Sequence, residues 1–224
     1  MVHESRLDFA VHVSGLGLQF FSVGKLNLAD RMFKAAIKIA PELVENWNRR
    51  GIVLMAMNRS DEAKKVFTEA IDMHSPDKAT LGRLYHNRSI CLQKNGEVES
   101  ALKDSIKSVE LFPSSPILWE QQGQLYYLAG EFAKAKESFE AALTFCPNDP
   151  MLIGFCAGAN LALGKLYEAR EQIYVAIYLS GNKEVPLFHS MKDVILARIR
   201  AIESEPDDKA IFSMYEAESS KILH

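Results

Sequence analysis

Residues Pro116–Asp149 read PILWEQQGQLYYLAGEFAKAKESFEAALTFCPND. Leu118, Trp119, Gln122, Leu125 and Tyr126 fall on one stripe at helical spacing, and Phe132, Ala135, Phe139, Ala142 and Leu143 on a second. Gly130 stands between them and suits the left-handed residue that ends a helix. At each boundary a capping side chain precedes a proline at the first helical position, as Ser115-Pro116 and Asp149-Pro150. The stretch therefore reads as two helices joined by a tight turn.

The pair Ala135/Phe139 returns along the chain as Ala29/Phe33 and Ala63/Phe67, and in degraded form as Ala101/Ser105 and Ala169/Ile173. The steps between these alanines are 34, 38, 34 and 34 residues. A period of that length means stacked supersecondary units, which mostly act by presenting a surface. The repeats are placed at about 10–43, 44–77, 78–115, 116–149 and 150–183. Gly17, Gly51, Ser89, Gly123 and Ala157 are small at one matched place. Glycine inside a helix costs about 1 kcal/mol relative to alanine. Its recurrence therefore needs a packing reason, read here as close approach of the two helices of a pair. Gly24, Gly96 and Gly164 share the turn position of Gly130. Trp47 and Trp119 share one repeat position and are expected as core wedges, with Cys146 and Cys156 as small core residues.

The single irregular step is the four residues Lys78–Leu81. Four residues are close to one helical turn. The first helix of the third repeat is expected to begin near Pro76 and project one extra turn; a longer loop is the alternative. The period stops after Lys183. Pro186 to Ser204 reads as one more amphipathic helix, capping the open end of residues 1–183. Within 184–224, Pro206-Asp207-Asp208 then opens a short final segment, read as a second docked helix, a loose tail, or a contact with a partner or a second copy.

The net charge of −3 gives no reason to expect nucleic acid. No apolar run is long enough to span a membrane. The N-terminus has acidic residues where a secretion signal needs a basic start. Three cysteines without CxxC spacing are expected to be reduced, in a cytoplasmic setting. The six histidines form no HxxxH or HExxH group, and there is no phosphate-cradling glycine loop. No catalytic, metal or cofactor site is expected, and the chain is read as a non-enzyme.

The windows resemble the tetratricopeptide repeat, whose signature is W-x2-L-G-x2-Y, then A-x3-F, then P. The fourth window matches nearly throughout. The resemblance implies an all-α, right-handed superhelical solenoid of antiparallel helix pairs with C-terminal capping helices. It also implies a concave face lined by the first helix of each pair. Mapped onto this sequence, that face carries Phe21 from the first window and Asn48, Ile52 and Met55 from the second. It carries Arg83, His86, Asn87 and Ile90 from the third, and Glu120, Gln124 and Tyr127 from the fourth. Apolar residues set among donors and acceptors suit an extended peptide or a partner helix. Some members of the family hold a chaperone's C-terminal tail in a carboxylate clamp. Here only Asn87 of five clamp positions matches, since Asn48, Ile52, Ile117 and Gln121 occupy the others. Arg50 and Arg88 sit at the inward-leaning Leu position, where the stem packs and the head is expected to reach water. The leading expectation is an interaction scaffold or adaptor for a protein or peptide. A chaperone or co-chaperone and a self-assembling scaffold are the alternatives.

Overall fold

A computed structural model describes residues 2–73, 77–181 and 185–203. Within them the chain is all-α, with eleven helices. They are α1 (Val2–Ser22), α2 (Leu26–Ile39), α3 (Val44–Ala56), α4 (Ser60–Asp72), α5 (Lys78–Lys94), α6 (Val98–Leu111), α7 (Pro116–Leu128), α8 (Phe132–Leu143), α9 (Pro150–Ala162), α10 (Leu166–Leu179) and α11 (Pro186–Glu203). The fold is the stacked antiparallel helix pairs that the period implies. The chain divides into two compact units, residues 1–130 and 131–224. The final segment from Pro206 onward, together with Ser75, Pro76 and Lys183, lies outside the described residues.

In the first unit each helix packs on the next, and α3 also touches α5, which touches α7. The first helices of the pairs thus share one layer. Ala29, Ala63 and Ala101 are fully buried. The repeated glycines have a specific partner. A Cβ on Gly17 would stand 2.9 Å from the Phe33 ring, and one on Gly51 would stand 2.3 Å from the Phe67 ring. The small residue of the first helix makes room for the aromatic ring of the second, so the two halves of the sequence signature are one contact. The third pair has serine at all three places. Ser89, Ser105 and Ser108 are fully buried, and their hydroxyls donate to the carbonyls of His86 (2.7 Å), Leu102 (3.1 Å) and Ser105 (2.9 Å). These bonds satisfy the hydroxyls inside their own helices.

The second unit repeats the scheme. Ala135, Ala169 and Ala176 are fully buried beside Phe139 and Ile173, and the Phe139 and Phe155 rings stack with centroids 5.2 Å apart. α11 packs on α10 and α9, and its Phe188 ring lies on Gly154, where a Cβ would come within 2.4 Å.

The turns follow from backbone geometry. Gly24, Gly96, Gly130 and Gly164 all have φ between 74° and 79°, and Asn58 fills the same place in the second pair at φ 59°. Four of these turns close with the same bond, in which the next residue's amide donates to a carbonyl five residues back. The bonds are Lys25 to Phe20, Arg59 to Leu54, Glu97 to Leu92 and Lys165 to Asn160, each 2.9 Å.

The four-residue slip lengthens a helix and not a loop: α5 has 17 residues against 13 in α3, α7 and α9. It begins at Lys78. Asp77 caps it, accepting from the amides of Ala79 and Thr80 at 3.1 Å each. Asp149 caps α9 as expected, whereas Ser115 makes no side-chain cap to α7, which relies on Pro116 at its first turn.

The tryptophans and arginines also differ from expectation. Trp47 and Trp119 are only partly buried. Each indole N–H donates to a proline carbonyl six residues back, Pro41 at 2.9 Å and Pro113 at 2.8 Å. They pin the connection entering their own helix. The heads of Arg50 and Arg88 are each held by a carboxylate of their surroundings. Arg50 Nε donates to Asp30 at 2.9 Å, and Arg88 grips Asp104 through Nε (2.6 Å) and Nη2 (2.8 Å). That pairing raises the Arg88 pKa above the ordinary arginine value.

Candidate functional site

The layer formed by α1, α3, α5 and α7 is held by polar rungs between neighbouring first helices. Arg49 of α3 donates to the Ser14 hydroxyl of α1 at 2.8 Å. Asn87 of α5 donates to Asn48 Oδ1 of α3 at 2.8 Å, and Gln121 of α7 donates to Gln93 of α5 at 2.8 Å. Glu45 lies 3.4 Å from Arg49 and 3.9 Å from Arg83. The first two rungs span 35 and 39 residues, one more than the local step each time. Polar residues recurring one place past the period were the available signal for Ser14–Arg49 and Asn48–Asn87. Gln93 carried no such signal.

These rungs sort the expected binding residues. Asn48 is 4% exposed and supports the face from beneath. Phe21 is half-buried against the α1–α2 core, and Ile52 and Met55 against the α3–α4 core. Ile90 is half-buried. Glu120 accepts from Gln124 at 3.0 Å, one turn apart on α7. Arg83 and Tyr127 are exposed, and Asn87 and Gln124 are partly so. His86 is buried and its Nδ1 has no hydrogen-bond partner. Burial drives its pKa down to about 4, so it is neutral near pH 7 and adds no charge to the face.

An open pocket of about 550 Å³ lies among α4, α5 and α6, lined by Lys64, Lys65, Thr68, Arg88, Lys103 and Asp104 among others. Two of its cations are already matched, Arg88 by Asp104 and Lys64 by Glu97 at 2.7 Å. Among the described residues no group of His, Cys, Asp or Glu is arranged to hold a metal ion, and no helix is long and apolar enough to cross a membrane. Burial raises the thiol pKa of Cys91 to about 11 and of Cys156 to about 12, which leaves both poor nucleophiles near pH 7. Cys146, expected in the core, is only partly buried.

Two family models, both described as tetratricopeptide repeat, match residues 116–149 and 44–74. The Hsp70-Hsp90 organizing protein of Triticum aestivum is 30% identical over 113 residues, half of this chain and 19% of the relative. The chain thus spans about a fifth of the length of that relative. Among solved structures, a protein from a study of Pseudomonas aeruginosa pilF superposes with a TM-score of 0.70 at 16% identity, covering 94% of this chain and 99% of the other. The crystal structure of YrrB, a TPR protein with an unusual peptide-binding site, gives 0.68 at 19% identity, covering 86% and 95%. At these identities the structural likeness is one of fold.

Proposed function

The chain is a tetratricopeptide-repeat protein, and from that premise we propose that it is a non-enzymatic scaffold whose α1–α3–α5–α7 face takes an extended peptide or a helix of a partner protein. Repeats of this kind are typically non-catalytic, and the family commonly binds proteins or peptides. One observation carries the reading. The rungs Ser14–Arg49, Asn48–Asn87 and Gln93–Gln121 fix neighbouring first helices, and the same layer presents Arg83, Gln124 and Tyr127. A rigid face loses little entropy on binding. It offers a cation, an amide and an aromatic ring, which suit a peptide backbone and its side chains.

The test is selection of displayed random peptides on the intact chain. Selected peptides should bind an Arg83→Glu/Tyr127→Ala variant with unchanged melting at least about tenfold more weakly, a loss of roughly 1.4 kcal/mol. Ile52 is left intact because it packs on the α3–α4 core. Equal affinity for the variant would place the binding surface elsewhere.

A co-chaperone role is the second reading, favoured by the similarity to the Hsp70-Hsp90 organizing protein. Apart from Asn87, the clamp positions hold Asn48, Ile52, Ile117 and Gln121, none of them a cation that could replace a carboxylate's hydration. Asn87, the one matching clamp residue, already donates to Asn48. An acidic chaperone-tail peptide that binds only with its terminal carboxylate free would favour this reading over the first.

A further inference from the structure

We propose that the second-helix side of the first unit binds an acidic segment of a partner protein. An acidic side chain of that segment enters the pocket among α4, α5 and α6, between Lys65 and Lys103. The pocket has a volume of about 550 Å³, and Arg83, Gln124 and Tyr127 of the first-helix face are not among its lining. Its α4 wall carries Lys64 and Lys65, and its α6 wall carries Ser100 and Lys103. The largely buried Arg88–Asp104 pair completes the lining between them.

The basic character of the α4 wall has a specific origin. One repeat earlier, Arg50 occupies the place of Arg88, and Asp30 occupies the place of Lys64. There the arginine is held by the acid of the preceding second helix, with Arg50 Nε donating to Asp30 at 2.9 Å. Arg88 instead takes its acid from its own pair, where Asp104 stands at the place of Val66. The α4 wall is thereby released from holding a carboxylate and carries lysine. Within the pocket, Arg88 is matched by Asp104, and Lys64 by Glu97 at 2.7 Å. Lys65 and Lys103 are exposed and make no hydrogen bond or ion pair among the described residues. Glu62, near enough to feel the charge of Lys65, is itself gripped by Arg59 through two bonds of 2.6 Å. Of the lining carboxylates only Glu69 is outside a pair, so the two free lysines leave the pocket positive.

Lys65 and Lys103 are one repeat position, and Arg31 is the same position on α2. All three are exposed. In the second unit that position holds Glu137 and Glu171, also exposed, so the repeat itself does not require a cation there. The recurrence on α2, α4 and α6 gives the first unit a row of cations, one on each successive second helix. An acidic segment crossing these helices meets a cation on each. In the pocket, one of its carboxylates is held between two ammonium groups, with the Ser100 hydroxyl as a further donor. Charge-assisted bonds of this kind replace the hydration that the carboxylate gives up.

Fluorescence anisotropy on the full chain tests the proposal, with a labelled octaglutamate peptide whose C-terminus is amidated. The intact protein should bind it at low salt and release it as salt rises, because exposed charges are screened. Lys65→Glu/Lys103→Glu should weaken binding at least about tenfold with unchanged melting, and Lys65→Gln/Lys103→Gln should weaken it too. Lys25→Glu/Lys165→Glu makes the same change in net charge at other exposed positions and should bind like the intact protein. So should Arg83→Glu/Tyr127→Ala, which separates this site from the first-helix face. Absence of binding by the intact protein overturns the proposal. So does an equal loss in Lys25→Glu/Lys165→Glu, or release of the peptide by Arg83→Glu/Tyr127→Ala alone. Self-association at low salt that Lys65→Glu/Lys103→Glu abolishes would place a second copy on the row and overturn it as well.

Discussion

At the scale of single residues, His86 has the clearest consequence. It is buried in α5 with Nδ1 unpartnered, and burial alone lowers its pKa from 6.5 to about 4. The native state therefore holds it neutral, while the unfolded chain takes up a proton below about pH 6.5. A base with a depressed native pKa contributes stability that is present above the unfolded value and is lost as pH falls toward the folded one. Between pH 7 and pH 5 the loss should be about 2 kcal/mol, from the proton taken up by the unfolded state alone. Urea midpoints at the two pH values measure it, and His86→Leu should flatten the difference. An equally steep decline in that variant would assign the pH dependence to other groups.

At the scale of elements, the pairing of helices rests on the glycine–phenylalanine contact. Gly51→Ala places a methyl group 2.3 Å from the Phe67 ring, which is fully buried. The ring has to move within packed surroundings, at an expected cost of about 1–3 kcal/mol. Gly15, also inside α1, has nothing within 4 Å of its would-be Cβ. Gly15→Ala should gain up to about 1 kcal/mol from helix propensity. Thermal melts of the two variants should move in opposite directions, and a common direction would remove the ring contact as the reason for Gly51. Much of this was legible in the chain itself. Period, helix count, turn glycines and the extra turn of α5 all depend on spacing along one chain, which sequence carries directly. Asn58 escaped notice because its left-handed turn uses asparagine where the other four use glycine. The face was less legible. Asn48 and His86 occupy groove positions in the repeat, yet both are buried. The aim of a polar side chain depends on what the neighbouring helix offers. Asn48 meets Asn87, whereas Gln121 turns to Gln93.

At the scale of the whole molecule, among the described residues of each unit a helix packs on the next in the chain or on the one after it, as in α3–α5 and α5–α7 of the first unit and α9–α11 of the second. Stability in such a stack is close to a sum of repeat and neighbour terms, so a local defect should stay local. Gly154 offers a clean place to make one. Its would-be Cβ lies 2.4 Å from the Phe188 ring, and that ring joins α11 to α9. Gly154→Ala should therefore loosen α9, α10 and α11 together. Native-state hydrogen exchange reads this directly, since amides report the opening of their own segment. Faster exchange is expected in those three helices, with α1–α4 at their original rates. Equal acceleration in α1–α4 would mean that the chain opens as one cooperative block. The neighbour-only contact pattern would then fail as a description of its energetics. The opposite result would let the α1–α7 face keep its geometry while the C-terminal pairs open, so partner binding and the state of α11 would be separable properties of one chain.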